Sequence, residues 1–260
     1  MAHKDLVREE FTRQADAYAA APMIRDAEHI AMLIRTVDPA PDARVLEVAT
    51  GPGHVALAFA KVCREVVGVD LTVAPLNIAR RMRDERGITN ARFELADADR
   101  LPFGDGEFNV VVCRFAVHHF DQPEKVIGEM ARVCRAGGSV VIEDLISSED
   151  PSRAAYYNEF ETLRDTSHTR ALALSEMAQI LGRAHCEIAR FTSHGMRNPV
   201  EPWLRSAQTP PERAARTRAM IERDAAEDLS GARSAKIGGE LFFTHRIAIV
   251  VTRKLASRKN

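Results

Sequence analysis

At 260 residues the chain is long enough for one sizeable domain with an appended subdomain or for two small domains, and its 45% hydrophobic and 28% charged residues are ordinary globular values, which excludes disordered and fibrous classes. Its 36 basic residues balance its 37 acidic ones, so nothing indicates the basic surface that nucleic acids favour, and we expect no nucleic-acid partner. No apolar run is long enough to span a membrane or to act as a signal peptide, which predicts a cytoplasmic protein without a membrane span.

Two helices are predicted before the first strand. Residues 6–21 carry apolar side chains near one helical face, and residues 23–37 carry a second apolar stripe. The segment 38–42, Asp-Pro-Ala-Pro-Asp, ends the second helix because proline cannot continue one. Helices therefore precede the sheet that the following residues predict.

The stretch from Arg44 to Lys61 predicts a strand, a tight turn and a helix in succession. An aliphatic run over 44–48 leads to Gly51 and Gly53, and residues 54–61 continue with helical apolar spacing. Glycine lets a ligand approach the main chain closely, and the start of a helix presents free N–H donors. The sequence therefore predicts a ligand site at this turn.

Two nucleotide-type ligands fit the turn. Residues 51–56 match the G-x-G-x-x-G/A pattern of dinucleotide binders, and Asp70 stands about where their ribose-binding acid is expected. Glu47, four residues before the first glycine, would repel a pyrophosphate but suits a ligand that carries positive charge and no phosphate. S-adenosylmethionine (SAM), with its ammonium and sulfonium groups, is such a ligand, so the residues favour SAM, with NAD as the alternative.

Strands and helices alternate as far as residue 144. The predicted strands are 44–48, 65–70, 91–95, 108–114 and 139–144. This alternation predicts a parallel sheet covered by helices on both faces, and open parallel sheets bind ligands beyond the carboxyl ends of their strands.

The pattern changes after residue 146. Residues 151–169 read as a helix with no strand before it, and residues 186–191 and 241–251 predict a sixth and a seventh strand. A further helix is predicted over 213–229, between these two strands.

Three segments resemble class I SAM-dependent methyltransferases. Val45 to Gly53 is similar to that family's first motif, an acid followed by G-x-G-x-G, with Ala49 in place of the first glycine. Residues 96–103 resemble its G-D-A-x-x-L-P-F segment, and residues 135–144 its R-x-G-G-x-x-x-x-x-D. The similarity is greatest to the small-molecule methyltransferases of ubiquinone and menaquinone biosynthesis, with a methyltransferase type 11 domain, and it covers nearly the whole chain.

The resemblance implies an α/β, Rossmann-like fold. Its sheet would have seven mostly parallel strands with an antiparallel last strand, helices on both faces, and helical insertions. It also implies one methyltransferase domain over 1–260, made of an N-terminal helical lid (1–40), a SAM-binding core (41–146) and two helical substrate-cap insertions (147–180 and 199–235).

The same resemblance assigns cofactor roles residue by residue. Asp70 would hold both ribose hydroxyls, Leu71 would lie against the adenine, and Asp97 and Ala98 would bind the adenine edge, while Tyr18 of the lid would close over the cofactor. Ordinary helix packing is the alternative for Tyr18, and helix capping is the alternative for Asp70. The complete expected set for SAM and its product S-adenosylhomocysteine is Tyr18, Glu47, Ala49, Thr50, Gly51, Gly53, Asp70, Leu71, Asp97, Ala98, Arg114 and Phe115.

Three histidines are candidates for catalysis. His118 and His119 follow the fourth strand, in the loop that lies beside the transferring methyl in this family, and histidine is the side chain most easily tuned to take a proton near neutral pH. His168 belongs to a segment that resembles a substrate-pocket roof, where it would hold an anionic or phenolic group or remove a proton. A structural role is the alternative for the pair, and a homodimer contact or a small local core is the alternative for the segment around His168. We expect no metal, because adjacent histidines rarely ligate one ion.

The resulting functional hypothesis is SAM-dependent methyl transfer to an O, C or N nucleophile of a small molecule, aromatic or of quinol or polyketide type. Methyl transfer is an in-line displacement in which the protein chiefly aligns the reactants, so a dedicated base is optional. The alternatives are an NAD-dependent oxidoreductase and a non-catalytic SAM-binding protein.

Overall fold

The computed structural model describes residues 3–256, which form a central sheet with helices around it. The strands are β1 (Arg44–Val48), β2 (Glu65–Asp70), β3 (Ala91–Leu95), β4 (Phe108–Arg114), β5 (Cys134–Ser147), β6 (Leu172–Ala173), β7 (Cys186–Pro199), β8 (Ala235–Ile237) and β9 (Glu240–Lys254). The helices are α1 (His3–Arg13), α2 (Ala15–Ala20), α3 (Pro22–Arg25), α4 (Ala27–Val37), α5 (His54–Phe59), α6 (Val73–Glu85), α7 (Pro123–Val133), α8 (Pro151–Arg164), α9 (Leu174–Arg183), α10 (Val200–Ser206) and α11 (Pro211–Glu227).

The sheet confirms the predicted Rossmann-like α/β class. Its main path runs β3-β2-β1-β4-β5-β9-β7, with β1 to β5 parallel and β9 antiparallel to both of its neighbours. The short β6 and β8 pair with β5 and β9 beside this path. Strands β2 and β3 are added on one side of β1, and β4 and β5 on its other side. The strand order therefore reverses between β1 and β4, and a crevice opens at their carboxyl ends, where such sheets bind ligands.

The near-continuous apolar runs of the central strands have a simple cause, because both faces of the sheet are covered. Leu46 packs in a layer beneath α7 and α9, and its neighbour Val45 packs in a second layer beneath α4, α5 and α6. Successive side chains of a strand point to opposite faces, so both kinds of position must be apolar here.

A third apolar cluster lies beyond the sheet's carboxyl edge. Helices α8, α10 and α11 meet the amino-terminal half of β9 there, and the ring of Trp203 packs 4.5 Å from that of Phe243 and 6.2 Å from that of Phe160. This cluster builds the wall of the site described below.

Several predicted bounds are wrong. The first predicted helix breaks at Gln14 into α1 and α2, and the second breaks at Asp26, whose carboxylate accepts from the backbone N–H groups that open α4 at 3.0 and 3.2 Å. The helix predicted over 151–169 ends at Arg164, because the Asp165 carboxylate accepts from the Ser167 N–H at 2.9 Å and turns the chain.

One part of the predicted cap belongs to the sheet layers instead. Residues 174–183 form α9, and its apolar face, with Met177 and Leu181, is buried in the layer against α7. The predicted sixth strand is also too short, since β7 continues to Pro199, opposite Phe242 of β9. Its outer side chains are exposed, so the apolar pattern fades while the backbone pairing continues. Within residues 3–256 no helix combines the length and the apolar character needed to cross a membrane.

Candidate active site

The turn after β1 is built from residues with left-handed backbone. Ala49, Gly51 and Gly53 have φ angles of 55°, 52° and 79°. At Gly53 an added Cβ would lie 2.8 Å from the Ala79 Cβ and 2.9 Å from the Phe93 ring, so this glycine lets α5 and α6 pack closely. Ala49 lacks that freedom, because an L side chain is disfavoured at positive φ.

Replacing Ala49 by glycine should raise the free energy of unfolding by about 1 kcal/mol and the melting temperature by roughly 2–4 °C, since glycine carries no penalty in the left-handed region. Ala58→Gly, within α5, is the matched control and should lower the unfolding free energy by about 1 kcal/mol, because a helical glycine has more freedom to lose. Thermal denaturation measures both. A loss of similar size in the two variants would mean that Ala49 bears no strain.

Glu47, at the carboxyl end of β1, stabilises this turn through side-chain hydrogen bonds. Its side chain is buried, and its Oε2 accepts from the Thr50 hydroxyl at 2.5 Å and from the Ala56 N–H at 2.8 Å. Burial raises the pKa of Glu47 to about 8, against these two hydrogen bonds, which lower it. A cationic ligand nearby would favour the ionised form of this acid.

Asp70, at the carboxyl end of β2, connects two turns. Its Oδ2 accepts from the Gly51 N–H at 2.8 Å, and its Oδ1 accepts from the Thr72 N–H at 2.9 Å. Burial raises the pKa of Asp70 to about 6, although these backbone hydrogen bonds oppose the shift. Each carboxylate oxygen has a second lone pair, so both can also accept from a ligand.

A cavity of about 310 Å³, which we name the main cavity because it holds most of the expected cofactor residues, lies past the carboxyl ends of β1 to β4. Eight of the twelve expected cofactor residues line it: Tyr18, Ala49, Gly51, Asp70, Leu71, Asp97, Ala98 and Phe115. A smaller adjoining cavity is lined by three others, Glu47, Thr50 and Arg114. Gly53 lines neither and serves the packing of the turn instead.

Helix α1 roofs the main cavity with contacts that the sequence did not reveal. The Lys4 ammonium lies 2.6 Å from Oδ2 of Asp97 and 2.8 Å from Oδ2 of Asp99, and Nε2 of His3 donates to the His119 carbonyl at 2.8 Å. A charged residue in an amphipathic helix has no local signature for such a partner. Its role depends on where the helix docks.

A second cavity adjoins the main one and shares the side chains of Phe11, Tyr18, Phe115 and His119 with it. We name it the histidine cavity, because the three candidate histidines meet there. The ring centroid of His118 lies 4.2 Å from that of His119 and 5.4 Å from that of His168.

His118 alone among the three has a carboxylate partner. Its Nδ1 donates to Oδ1 of Asp144 at 2.5 Å, and Oδ2 of Asp144 accepts from the Val117 N–H at 2.6 Å. Burial disfavours the imidazolium, but the charge and hydrogen bond of Asp144, together with the charges of Glu161 and Asp165, outweigh burial and raise the pKa of His118 above its ordinary value. With Nδ1 committed to Asp144, Nε2 is the nitrogen that can accept a proton when the ring is neutral.

The other two histidines are held neutral. His119 donates from Nδ1 to the Ser167 carbonyl at 2.9 Å, and burial together with the neighbouring His118 lowers its pKa to about 4. His168 donates from Nε2 to Oδ1 of Asn158 at 2.9 Å, and burial lowers its pKa well below the ordinary value. These two rings are suited to hydrogen bonding and shaping of the cavity, and His118 is suited to proton transfer.

Sequence reasoning missed several further residues of the histidine cavity, and the polar ones Glu161, Trp203 and His245 matter most here. A signal existed for two of them. His245 occupies the buried side of β9 between Phe243 and Ile247, and Glu161 follows the buried Tyr157 by one turn of α8. A polar side chain at an apolar position of a periodic pattern was the available clue.

Comparison with known proteins gives one consistent family. Residues 46–142 match the family model described as a methyltransferase domain. The uncharacterized methyltransferase YcgJ of Bacillus subtilis is 31% identical over 203 residues, which cover 78% of this chain and 80% of YcgJ. A demethylmenaquinone methyltransferase of Thermus thermophilus is 43% identical over 101 residues, 38% of this chain and 46% of that protein.

Comparison with solved structures indicates the same fold. The crystal structure of YcgJ matches with a TM-score of 0.83 at 26% identity and covers 88% of this chain and 99% of its own. BH2331 of Bacillus halodurans matches with the same TM-score at 29% identity, covering 88% of this chain and 100% of its own.

Proposed function

We propose that this chain, which belongs to the SAM-dependent methyltransferase family and uses SAM as its methyl donor, methylates a small planar molecule at oxygen, carbon or nitrogen. The observation that carries the proposal is the histidine cavity, which adjoins the expected cofactor cavity through four shared side chains. Its aromatic walls favour a small aromatic, quinol-like or polyketide-like acceptor, which this cavity of about 30 Å³ would admit by widening or by sharing the adjoining space of the main cavity.

The cofactor fits the charges that line the main cavity. In this proposal Asp70 accepts from the two ribose hydroxyls, Asp97 and Ala98 bind the adenine edge, and Leu71 packs against the base. Tyr18 and Phe115, shared by both cavities, lie between donor and acceptor. The methionine part extends toward the smaller cavity, where the acid of Glu47 matches its ammonium group. The Arg114 guanidinium lines the same cavity but already lies 3.2 Å from Oε2 of Glu143.

SAM supplies an electrophilic methyl group, and the chain's own residues bind, orient and deprotonate the acceptor. Nε2 of His118 is the nitrogen that would take a phenolic or enolic proton, and Asp144 stabilises the imidazolium that forms. His119 and His168 stay neutral and hold the acceptor. An amine acceptor would need little help from a base.

Turnover and binding test this function. The purified protein, SAM and a panel of phenols, quinol precursors and amines should form S-adenosylhomocysteine with at least one acceptor of the panel, measured against reactions lacking an acceptor. Parallel calorimetric titrations should give micromolar binding of SAM and of S-adenosylhomocysteine and no heat with NAD. Binding of NAD in place of SAM would restore the oxidoreductase alternative, and SAM binding without turnover would favour the non-catalytic one. A cytoplasmic location and a homodimer stay predictions from the sequence.

A further inference from the structure

The wall of the histidine cavity contains polar groups that the methyl-transfer mechanism does not use. Glu161 of α8, Trp203 of α10 and His245 of β9 line this wall, and their exposed fractions are only 2%, 5% and 1%. Three separate elements thus bring an acid, an indole and an imidazole together out of solvent.

Two atoms of these groups, Oε1 of Glu161 and Nε1 of Trp203, have no hydrogen-bond partner among residues 3–256. Nδ1 of His245 lies 2.7 Å from the Tyr157 hydroxyl and 3.4 Å from Oε1 of Glu161. That nitrogen has a single hydrogen-bonding position, which the shorter contact uses, and Oε1 is left unpaired. The indole Nε1 of Trp203 is likewise buried and unpaired.

The nearby Arg164 guanidinium does not supply the missing hydrogen-bond partners. The Arg164 guanidinium stacks over the Trp203 ring at 5.0 Å and donates to the Trp203 carbonyl at 3.4 Å and to the Ser206 hydroxyl at 3.2 Å. Buried polar groups in folded proteins are almost always paired, so an unpaired acceptor and an unpaired donor in one cavity indicate a ligand that pairs them.

We propose that Glu161 and Trp203 bind a hydroxyl group of the methyl acceptor, with the indole N–H donating to its oxygen and Oε1 of Glu161 accepting its hydrogen. The inference rests on the proposed function, because it takes the histidine cavity as the place of the acceptor. The acceptor is then a planar molecule with at least two polar positions: the atom that is methylated, near His118, and this hydroxyl.

The chemistry selects a hydroxyl over other substituents. A carbonyl only accepts and would leave an ionised Glu161 unpaired, whereas an ammonium only donates and would leave Trp203 unpaired. Burial raises the pKa of Glu161 to about 7, opposed by Arg164, so both forms of this acid occur near neutrality. A hydroxyl can pair with either form.

The test uses Trp203 itself, which is the only tryptophan of the chain. Its emission should change when a ligand enters the histidine cavity. The full chain, saturated with S-adenosylhomocysteine so that no turnover occurs, is titrated with resorcinol, hydroquinone and phenol. At least one dihydroxybenzene should bind roughly tenfold more tightly than phenol, the worth of one hydrogen bond to a charged acceptor.

Glu161→Gln keeps the shape of the side chain and removes its charge. We expect this variant to lose most of the tenfold preference, because its neutral amide oxygen is a weaker acceptor than a carboxylate, while its affinity for S-adenosylhomocysteine, which binds in the main cavity, stays that of the wild type. Glu159→Gln, an exposed position of the same helix, is the matched control and should keep the preference. Trp203→Phe removes the indole N–H, and titration calorimetry should then also give equal binding of dihydroxybenzene and phenol.

The outcomes separate the two proposals. Equal binding of phenol and the dihydroxybenzenes by the wild type, no change in Trp203 emission, or an unchanged preference in Glu161→Gln would overturn the hydroxyl site and leave the methyltransferase function standing. Absence of methyl transfer to every acceptor would contradict the proposed function, whatever the fluorescence shows.

Discussion

Asp70→Ala should weaken SAM binding by about 2–4 kcal/mol, roughly 30- to 700-fold, because it removes two charge-assisted hydrogen bonds to the ribose hydroxyls. The hydrogen bonds that Asp70 makes within the protein add to the loss of SAM affinity. The same carboxylate accepts from the Gly51 N–H and the Thr72 N–H, so its removal also loosens the turn that shapes the main cavity. Titration calorimetry with SAM measures the change directly.

Two further variants isolate the ribose contribution. Asp70→Asn keeps the size of the side chain and one carbonyl oxygen, and we expect an affinity between those of the wild type and the alanine variant. Asp42→Ala removes an exposed carboxylate from the loop before β1 and should leave SAM affinity unchanged. Wild-type affinity in Asp70→Ala would exclude the ribose assignment, and equal losses in all three variants would point to a nonspecific charge effect.

His118→Gln should lower kcat for a phenolic or enolic acceptor by about 10²- to 10⁴-fold, the usual contribution of a general base. SAM affinity should not change, because His118 lines the histidine cavity and not the main one. Glutamine retains a polar side chain for the buried Asp144 carboxylate, which limits the structural disturbance. Steady-state kinetics with SAM at saturation give the measurement.

An aromatic amine provides the internal control for this variant, since it is already neutral at neutral pH and needs little help from a base. Where the panel contains an accepted amine, its kcat should fall little. A comparable fall for amine and phenol would mean that His118 shapes the cavity and does not move a proton. An effect confined to KM would indicate the same.

The Asp144–His118 pair also fixes the direction of the pH dependence. A base acts when neutral, so kcat should rise with pH through the pKa of His118, which Asp144 holds above its ordinary value of 6.5 against the effect of burial. In Asp144→Asn the largest opposing charge is gone and only the smaller effects of the Glu161 and Asp165 charges still oppose burial, so the pKa of His118 falls and the inflection of kcat moves to lower pH. An inflection at the same pH in both proteins would exclude His118 as the titrating group.

Local patterns of apolar residues were enough to predict most of the strands of the sheet. The aliphatic runs of β1, β2 and β4 are buried on both sides, so their composition alone indicates strands between two helical layers. The breaks at Gln14 and Asp26 were not predicted because apolar periodicity continues across them. The Asp26 carboxylate caps the helix that follows it, whereas no side-chain cap marks the break at Gln14. Helix α9 was missed for a related reason, since nothing local tells a helix of the sheet layers from one of the cap.

The sequence by itself determined the sheet, the turn between β1 and α5, and the acids at the strand ends, because strand periodicity and glycine turns are properties of neighbouring residues. Only the tertiary structure decided which side chains meet. Lys4 reaches Asp97 from 93 residues away, and Tyr157 contacts His245 across 88 residues. Contacts of this kind depend on how the roof and cap helices dock on the sheet. The cap helices α8, α10 and α11 dock through the packing of the third apolar cluster, whereas α1 has no buried residue and contacts the site through pairs such as Lys4 with Asp97. No short motif encodes either arrangement.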